Sequence, residues 1–260
     1  MREEHHKNQI VVGAGWLYLI EPEGGERYLG ELPSCSVTVT SEYITVESSN
    51  GPVRRRLVHK PRSVTRRMDI ELEDMSAKNL ALFILGETGR DAQSAQVVEG
   101  ELLSALREDV WYQLGVSRAR PEGVSAIAAT PAVTVKQGAS GNTALDAAHY
   151  RIDHGRARIL FTDLEPISGA SKAVRVSYTP VAQTLARATS SEAQLREFGL
   201  RYIEDAVEGV GKRLFAPRCT VSPNGQMALK NPTQAQRIPL QVEILEPDAG
   251  AALVIYGPEG

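Results

Sequence analysis

The chain has 260 residues, 42% of them hydrophobic, enough to bury a sizeable core in one large domain or two small ones. A net charge of −3 excludes a protein that coats duplex nucleic acid with a whole basic face. Two widely separated cysteines, Cys35 and Cys219, exclude a disulfide framework and a cysteine zinc site, and they read as small buried hydrophobes in a reducing compartment.

From the first residue, "MREEHHKNQIVVGAGW" lacks the apolar core of a signal peptide, and no window approaches the roughly 18 apolar residues of a membrane span. The expectation is a protein made and folded in the cytoplasm. Gly13 and Gly15 follow two valines, as a dinucleotide fingerprint begins, but Tyr18 stands at the third glycine position and strand residues follow where a helix must start. Nucleotide binding is therefore not expected.

Strand patterns come next. Ser36, Thr38, Thr40 and Glu42 alternate with Cys35, Val37 and Val39, the period of a half-buried strand. A Ser49-Asn50-Gly51-Pro52 turn and a basic run lead to a second such strand over 63–73, with Thr65, Arg67, Asp69, Glu71 and Glu73 opposite Val64, Met68, Ile70 and Leu72. The pair makes a long hairpin with a cationic loop. "SAKNLALFILGE" predicts a short helix: Ser76 caps it, Leu80, Phe83 and Ile84 form its apolar face, and Gly86 takes the left-handed stop. From Arg118 to Pro180, short Val, Ile and Tyr runs punctuated by Pro and Gly predict an inserted β module. The stretch over 181–206 mixes helix formers with a strand setting and is read as strand. A closing pair follows, Phe215 to Val221 and Arg237 to Glu246, around Ser222-Pro223-Asn224-Gly225, with Ile238, Leu240, Val242 and Ile244 opposite Arg237, Gln241 and Glu243. The expected domains are thus 1–117, the insertion 118–180, and 181–260.

Chemistry is sparse. His5, His6, His59, His149 and His154 have no second ligand at metal spacing. Asp69, Glu71 and Glu73 share one strand face, as a catalytic or metal-binding row would, but a charge row on a strand is ordinarily a wet face, and no convergent partner accompanies it. No GxSxG, HExxH or Walker loop occurs. The expectation is no enzyme, and no catalytic residue, cofactor site, metal site or small-molecule ligand. The basic run Arg54, Arg55, Arg56, Lys60 and Arg62 is either a solvated hairpin that discourages edge pairing or a contact with an acidic patch on another copy. Without stacking aromatics it is a poor nucleic-acid reader.

Several segments line up with one family. "VGAGWLYLIEPEGGERYLGELPSCSVTV", then "MDIELEDMSAKNLALFILGE", then "RLFAPRCTVSPNGQMALKNPTQAQRIPLQVEILEPDAG" resemble the major tail tube subunits of bacteriophages with long, non-contractile tails. The matched features are Gly13-Ala14-Gly15 before an aromatic strand, Glu26 to Gly30 before the first barrel strand, Met75-Ser76 before Asn79 to Leu82, and a closing hairpin entered by proline and turned by Asn-Gly. "HYRIDHGRARIL…VRVSYTP" is loosely similar to the small β insertion of many such subunits.

The resemblance implies a mainly β fold: a tail-tube β-sandwich or barrel subunit with one flanking helix that lends four strands to a hexameric inner β-barrel, plus the inserted module. It implies a structural virion protein whose rings stack into a hollow tail tube that conducts DNA to the host. Its partners would be itself, a tape measure protein, tail tip or completion proteins, and DNA in transit without tight binding. Ser36, Thr38, Thr40, Glu42, Thr65, Arg67, Asp69, Glu71, Gln241 and Glu243 are then expected to line the channel, because a wall that conducts a phosphate polymer must not hold it. Arg67 departs from that picture unless a carboxylate pairs it. Arg54, Arg55, Arg56, Lys60 and Arg62 would meet Glu21, Glu23 and Glu26 of the next ring. A single-ring completion, baseplate hub or secretion-tube protein of the same fold is the alternative role. A monomeric surface- or carbohydrate-binding β-sandwich is another, disfavoured by an aromatic content of 5%, and an enzyme built on the Asp69 row comes last.

Overall fold

The computed structural model describes residues 12–50, 55–169, 172–190, 195–208 and 211–257. The chain divides into two compact units, Met1–Gly89 with Arg187–Gly260, and Arg90–Ala186. The insertion therefore begins near Arg90, not at Arg118. The reason is long-range pairing: Val98–Leu103 pairs with Val174–Tyr178 and Trp111–Gln113 pairs with Arg158–Phe161, partners that no local pattern reveals.

The first unit is built on one antiparallel sheet. Its strands are β1 (Val12–Ile20), β2 (Glu26–Tyr28), β3 (Ser34–Glu47), β4 (Arg56–Leu72), β14 (Glu197–Glu208), β15 (Arg213–Pro223) and β16 (Ile238–Ile244). They lie in the order β2-β1-β14-β15-β16-β4-β3, with β17 (Val254–Tyr256) on β15. The described sheet is open, with no closed barrel within one chain, and β3 is an edge strand. Within 181–206, residues 183–190 and 197–206 are strand, as expected from their setting, and 191–194 lie outside the described residues.

The core follows from alternation. Leu17 and Leu19 of β1, Met68, Ile70 and Leu72 of β4, Leu200 of β14, Cys219 and Val221 of β15, and Ile238, Leu240 and Val242 of β16 pack in one cluster. Helix α1 (Ala77–Phe83) lies against β15 and β16 and adds Leu80, Leu82 and Phe83. Ser76 caps it as its position predicts, accepting from the Asn79 N–H. The left-handed stop, however, is Leu85 at φ 50°, not Gly86. Gly86 is needed for a different reason, because any Cβ there would run into the Thr189 carbonyl oxygen.

The fully buried Asn79 ties the helix to the sheet. Its Nδ2 donates to the carbonyls of Leu29 (2.8 Å) and Asp74 (3.1 Å), and its Oδ1 accepts from Arg27 (2.7 Å). Three partners in a dry site make this amide a strong constraint on the α1 entry and on the turn after β2.

Strands β5 (Gly86–Gln93) and β13 (Gln183–Ser190) pair with each other and carry the chain into and out of the second unit. That unit holds β6 (Val98–Leu103), β7 (Trp111–Gln113), β8 (Thr134–Gln137), β9 (Thr143–Ala144), β10 (Tyr150–Asp153), β11 (Arg158–Phe161) and β12 (Val174–Tyr178). Sheets β10-β11-β7 and β6-β12-β8-β9 share one core that includes Val135, Ile159, Phe161, Val174 and Val176. Glu101 ties it further, accepting from the Gly115 N–H at 3.0 Å and the Tyr178 hydroxyl at 2.7 Å. Burial, then the bond to that carboxylate, pushes the Tyr178 phenol up.

Replacing Asn79 by alanine leaves the Leu29 and Asp74 carbonyls without their amide donor. The expected cost is about 2–4 kcal/mol to the first unit, read as a lower urea midpoint of its transition. An unchanged midpoint would remove Asn79 from its anchoring role.

Candidate functional site

The feature that stands out is a polar face shared by four strands. Antiparallel register sets residues side by side in rows: Thr38, Arg67, Glu243 and Thr220 in one, and Ser36, Asp69, Gln241 and Ser222 in the next. Ser34 and Glu71 follow. Paired residues project to the same side of a sheet, so all of these side chains share one face, opposite the core row of Met68, Ile70, Leu240 and Val242. Ser36, Thr38, Thr40, Glu42, Thr65, Arg67, Asp69, Glu71, Gln241 and Glu243, expected on one wet face, lie on this side by register. Ser34, Thr220 and Ser222 join them, and the alternation of the last two with Cys219 and Val221 is legible in the sequence.

The charges on this face are knitted to one another. Arg67 reaches Asp69 at 3.4 Å, which neutralises the one cation that disturbed the expected row. Asp69 also accepts from Asn224 at 2.9 Å. Arg237 forks between Glu71 (3.0 Å) and Glu73 (3.2 Å). The carboxylates still outnumber the arginines, since Glu243 has no hydrogen-bond or ion-pair partner among the described residues. Exposed pairs of this kind contribute little stability, about 0–1 kcal/mol each, so the pattern governs what the face repels and attracts more than how the chain folds.

The hairpin β3–β4 runs on past the end of β16. Strand β16 reaches only as far as Arg66, so Arg56 to Thr65 pair with β3 alone. At about 3.3 Å per residue this arm extends about 30 Å. The basic run is thus not a loop. Arg56 to Arg62 are strand, with Val58 across from Val46 and Lys60 across from Ile44. Arg54 lies outside the described residues; Arg55, Arg56, Lys60 and Arg62 crowd the far end of the arm without an ion pair among the described residues.

Glu21, Glu23 and Glu26 sit at the other end of the sheet, in and beside the β1–β2 turn. Glu21 already holds Arg27 at 3.1 Å and Glu26 holds Arg201 at 3.0 Å. Nearby, Glu197 takes Arg218 in a two-pronged pair at 2.7 and 2.8 Å, whose hydrogen bonds hold its carboxyl below the usual glutamate range. A surface hollow of about 620 Å³ lined by Glu21, Arg27, Lys78, Arg196 and Phe198 opens there.

The other candidates have structural explanations. Gly15 lies within a continuous strand, and any Cβ on it would collide with the Tyr202 ring, so close packing across β1 and β14 requires glycine there without any phosphate. His59 stacks on Tyr43 at 4.5 Å and meets the Thr45 hydroxyl at 3.2 Å. His149 pairs with Asp163 at 3.0 Å, and His5 and His6 lie outside the described residues. No group of three or more metal-ligating side chains forms among the described residues. No described helix is long and apolar enough to cross a membrane. In the second unit, the half-exposed Trp111 carries Arg158 at 4.5 Å over its ring, held from the other side by Asp153 at 3.0 Å, so one ring face is already occupied.

These features define a two-unit, mainly β protein whose larger unit offers a polar four-strand face and a free edge. A family model described as "Protein of unknown function UCP028589" matches residues 10–253, and the chain belongs to that family. A search of curated proteins finds no match.

If packing alone requires Gly15, then Gly15→Ala costs about 1–3 kcal/mol in unfolding measurements without any added ligand. Adding Tyr202→Leu should recover much of that loss. A G15A chain as stable as wild type would reopen the phosphate-loop reading.

Proposed function

We propose that the chain is a structural subunit that self-assembles into rings, six copies each, which stack into a hollow phage tail tube. The observation that supports this best is the combination of a continuous polar face with an unpaired edge strand of 14 residues beside it. An edge that long, carrying exposed Val37 and Val39, invites pairing with another chain unless assembly covers it. Closing copies around a ring covers the long β3 edge and turns the four polar strands inward, so that β15, β16, β4 and β3 of each copy form the common wall.

On this reading the polar face is the channel wall. Hydroxyls, an amide and an excess of carboxylates repel a phosphate backbone weakly and evenly, and Arg67, held by Asp69, offers no free cation to detain it. Before DNA passes, the same wall would hold an extended tape measure protein, and tail tip and completion proteins would close the ends. The role is structural, in the virion tail, with no catalytic step.

Negative-stain electron microscopy across a concentration series, with end-on views classified by symmetry, tests the assembly. Sixfold rings that stack into hollow tubes are expected. Rings that never stack would favour the single-ring role, and a chain that stays monomeric at every concentration would sink the proposal. The wall is tested separately with Asp69→Lys and Glu71→Lys together. Tubes should still form, since the lost pairs are exposed and contribute about 0–1 kcal/mol each, while DNA release from virions built with this subunit slows. Unchanged release kinetics would count against the channel wall.

A further inference from the structure

The outer side of the first sheet has a second half that differs from the polar one. Across β17, the start of β15, β14, β1 and β2, register aligns two rows, Tyr256–Arg213–Ile203–Trp16 and Val254–Phe215–Arg201–Tyr18–Tyr28. Both alternate with Leu214, Tyr202 and Leu17, which pack in the core, so the two rows share the side that faces away from it. Aromatic residues make up only 5% of the chain, yet Trp16, Tyr18, Tyr28, Phe215 and Tyr256 gather here. The sheet wraps around its core. Burial, then the charges of Glu204 and Cys35, push the Tyr202 phenol up, so the β3 edge comes close to β14 although three strands separate them in the sheet. The aromatic half is therefore turned away from the polar half and is a surface of its own.

That surface is hollow at one end. A depression of about 540 Å³, of the size that holds a small ligand, is lined by Arg201, Ile203, Arg213, Phe215 and Tyr256. Tyr256 stands 63% exposed beside it. The Phe215 ring carries the Arg201 guanidinium at 5.6 Å, and Glu26 holds that guanidinium at 3.0 Å. Arg213 is exposed and has no hydrogen-bond or ion-pair partner among the described residues. The hollow thus offers aromatic and aliphatic surface to a ring, and one unengaged guanidinium fork to one carboxylate.

The charge balance selects among ligands. Glu26 and Asp205 stand on the same side as Arg201 and Arg213 and offset them, so the face has no excess positive charge to draw a chain of phosphates. A neutral ring would leave the Arg213 fork without a partner. A sugar ring bearing a single carboxylate answers both features, because its C–H face stacks on an aromatic ring while its hydroxyls and acid group hydrogen-bond around the rim.

We propose that this hollow binds the uronic acid unit of an acidic polysaccharide, with the carboxylate on Arg213 and the apolar face of the ring on Tyr256 and Phe215. The Arg201–Glu26 pair supplies a donor and an acceptor for the ring hydroxyls. The inference goes beyond the tube reading and does not depend on it, since every residue involved belongs to one copy of the first unit and none lies on the polar face.

Binding is measured by calorimetry on the full chain, kept dilute enough to stay unassembled, against polygalacturonate, alginate and hyaluronate, with dextran, polyglutamate and oligothymidylate for comparison. At least one uronate polymer should bind, and the three comparison polymers should each bind at least about tenfold more weakly, the scale of a charge-assisted hydrogen bond. Arg213→Gln and Tyr256→Ala, both at exposed positions, should keep the wild-type melting temperature and lower the affinity for that polymer about tenfold or more. Lys230→Ala, which removes the same charge from an exposed loop, should bind like wild type. Absence of binding to all three uronate polymers overturns the inference. Equal affinity for dextran overturns the role of the carboxylate, and equal affinity for polyglutamate or oligothymidylate turns the site into one for acidic peptides or for nucleic acid. Variants at Arg213 and Tyr256 that bind like wild type, or a loss in Lys230→Ala as large as theirs, overturn it as well. None of these results touches the tube reading, which the assembly experiment decides separately.

Discussion

The antiparallel register of β3, β4, β16 and β15 is the constraint on which the first unit depends. Each strand alternates, and the register aligns those alternations so that Met68, Leu240 and Val242 meet while Asp69, Gln241 and Ser222 meet on the other side. A slip of one residue in any of these pairings would drive a carboxylate into the core, which is why register in a half-buried sheet is specified so strongly. Helix α1 and the buried Asn79 complete the arrangement by covering the dry side and fixing the turns that lead into it. The polar face is therefore a by-product of packing as much as a surface chosen for contact with something else.

Charge on that face is arranged locally before it is available to a partner. Arg67 is engaged by Asp69, and Arg237 by Glu71 and Glu73, so the cations that would grip an anionic polymer are already held. By contrast, the cations of the hairpin arm have no such partners among the described residues. One strand pair thus carries a self-neutralised stretch and an unsatisfied one, separated by the bulge at Arg62.

Glycines and insertions show how readily a local motif misleads. Gly13 and Gly15 imitate the opening of a nucleotide fingerprint, yet the ring of Tyr202, distant in sequence, is what excludes a side chain at Gly15. Gly86 stands where a helix stop is expected, yet Leu85 takes the left-handed conformation and Gly86 makes room for Thr189. The second unit begins before its composition changes, because β6 and β7 find their partners some 45–80 residues downstream.

The sequence by itself determined the strand-dominated class, the two amphipathic strand pairs, the cap of helix α1 and the wet and dry rows of β16 and of β4 from Arg67 to Leu72, whereas Cys35, Val37 and Val39, read as the dry side of β3, are exposed. Period-2 alternation and capping are local, and they survive without knowledge of any partner strand. Only the tertiary structure decided that the four polar rows join into one face, that Arg67 is neutralised, that Glu21 and Glu26 are occupied, and that the basic run is a strand whose apolar residues cross to the polar side. Those outcomes depend on register, on bulges and on contacts between residues far apart in the chain, where the energy of pairing outweighs what any short stretch prefers.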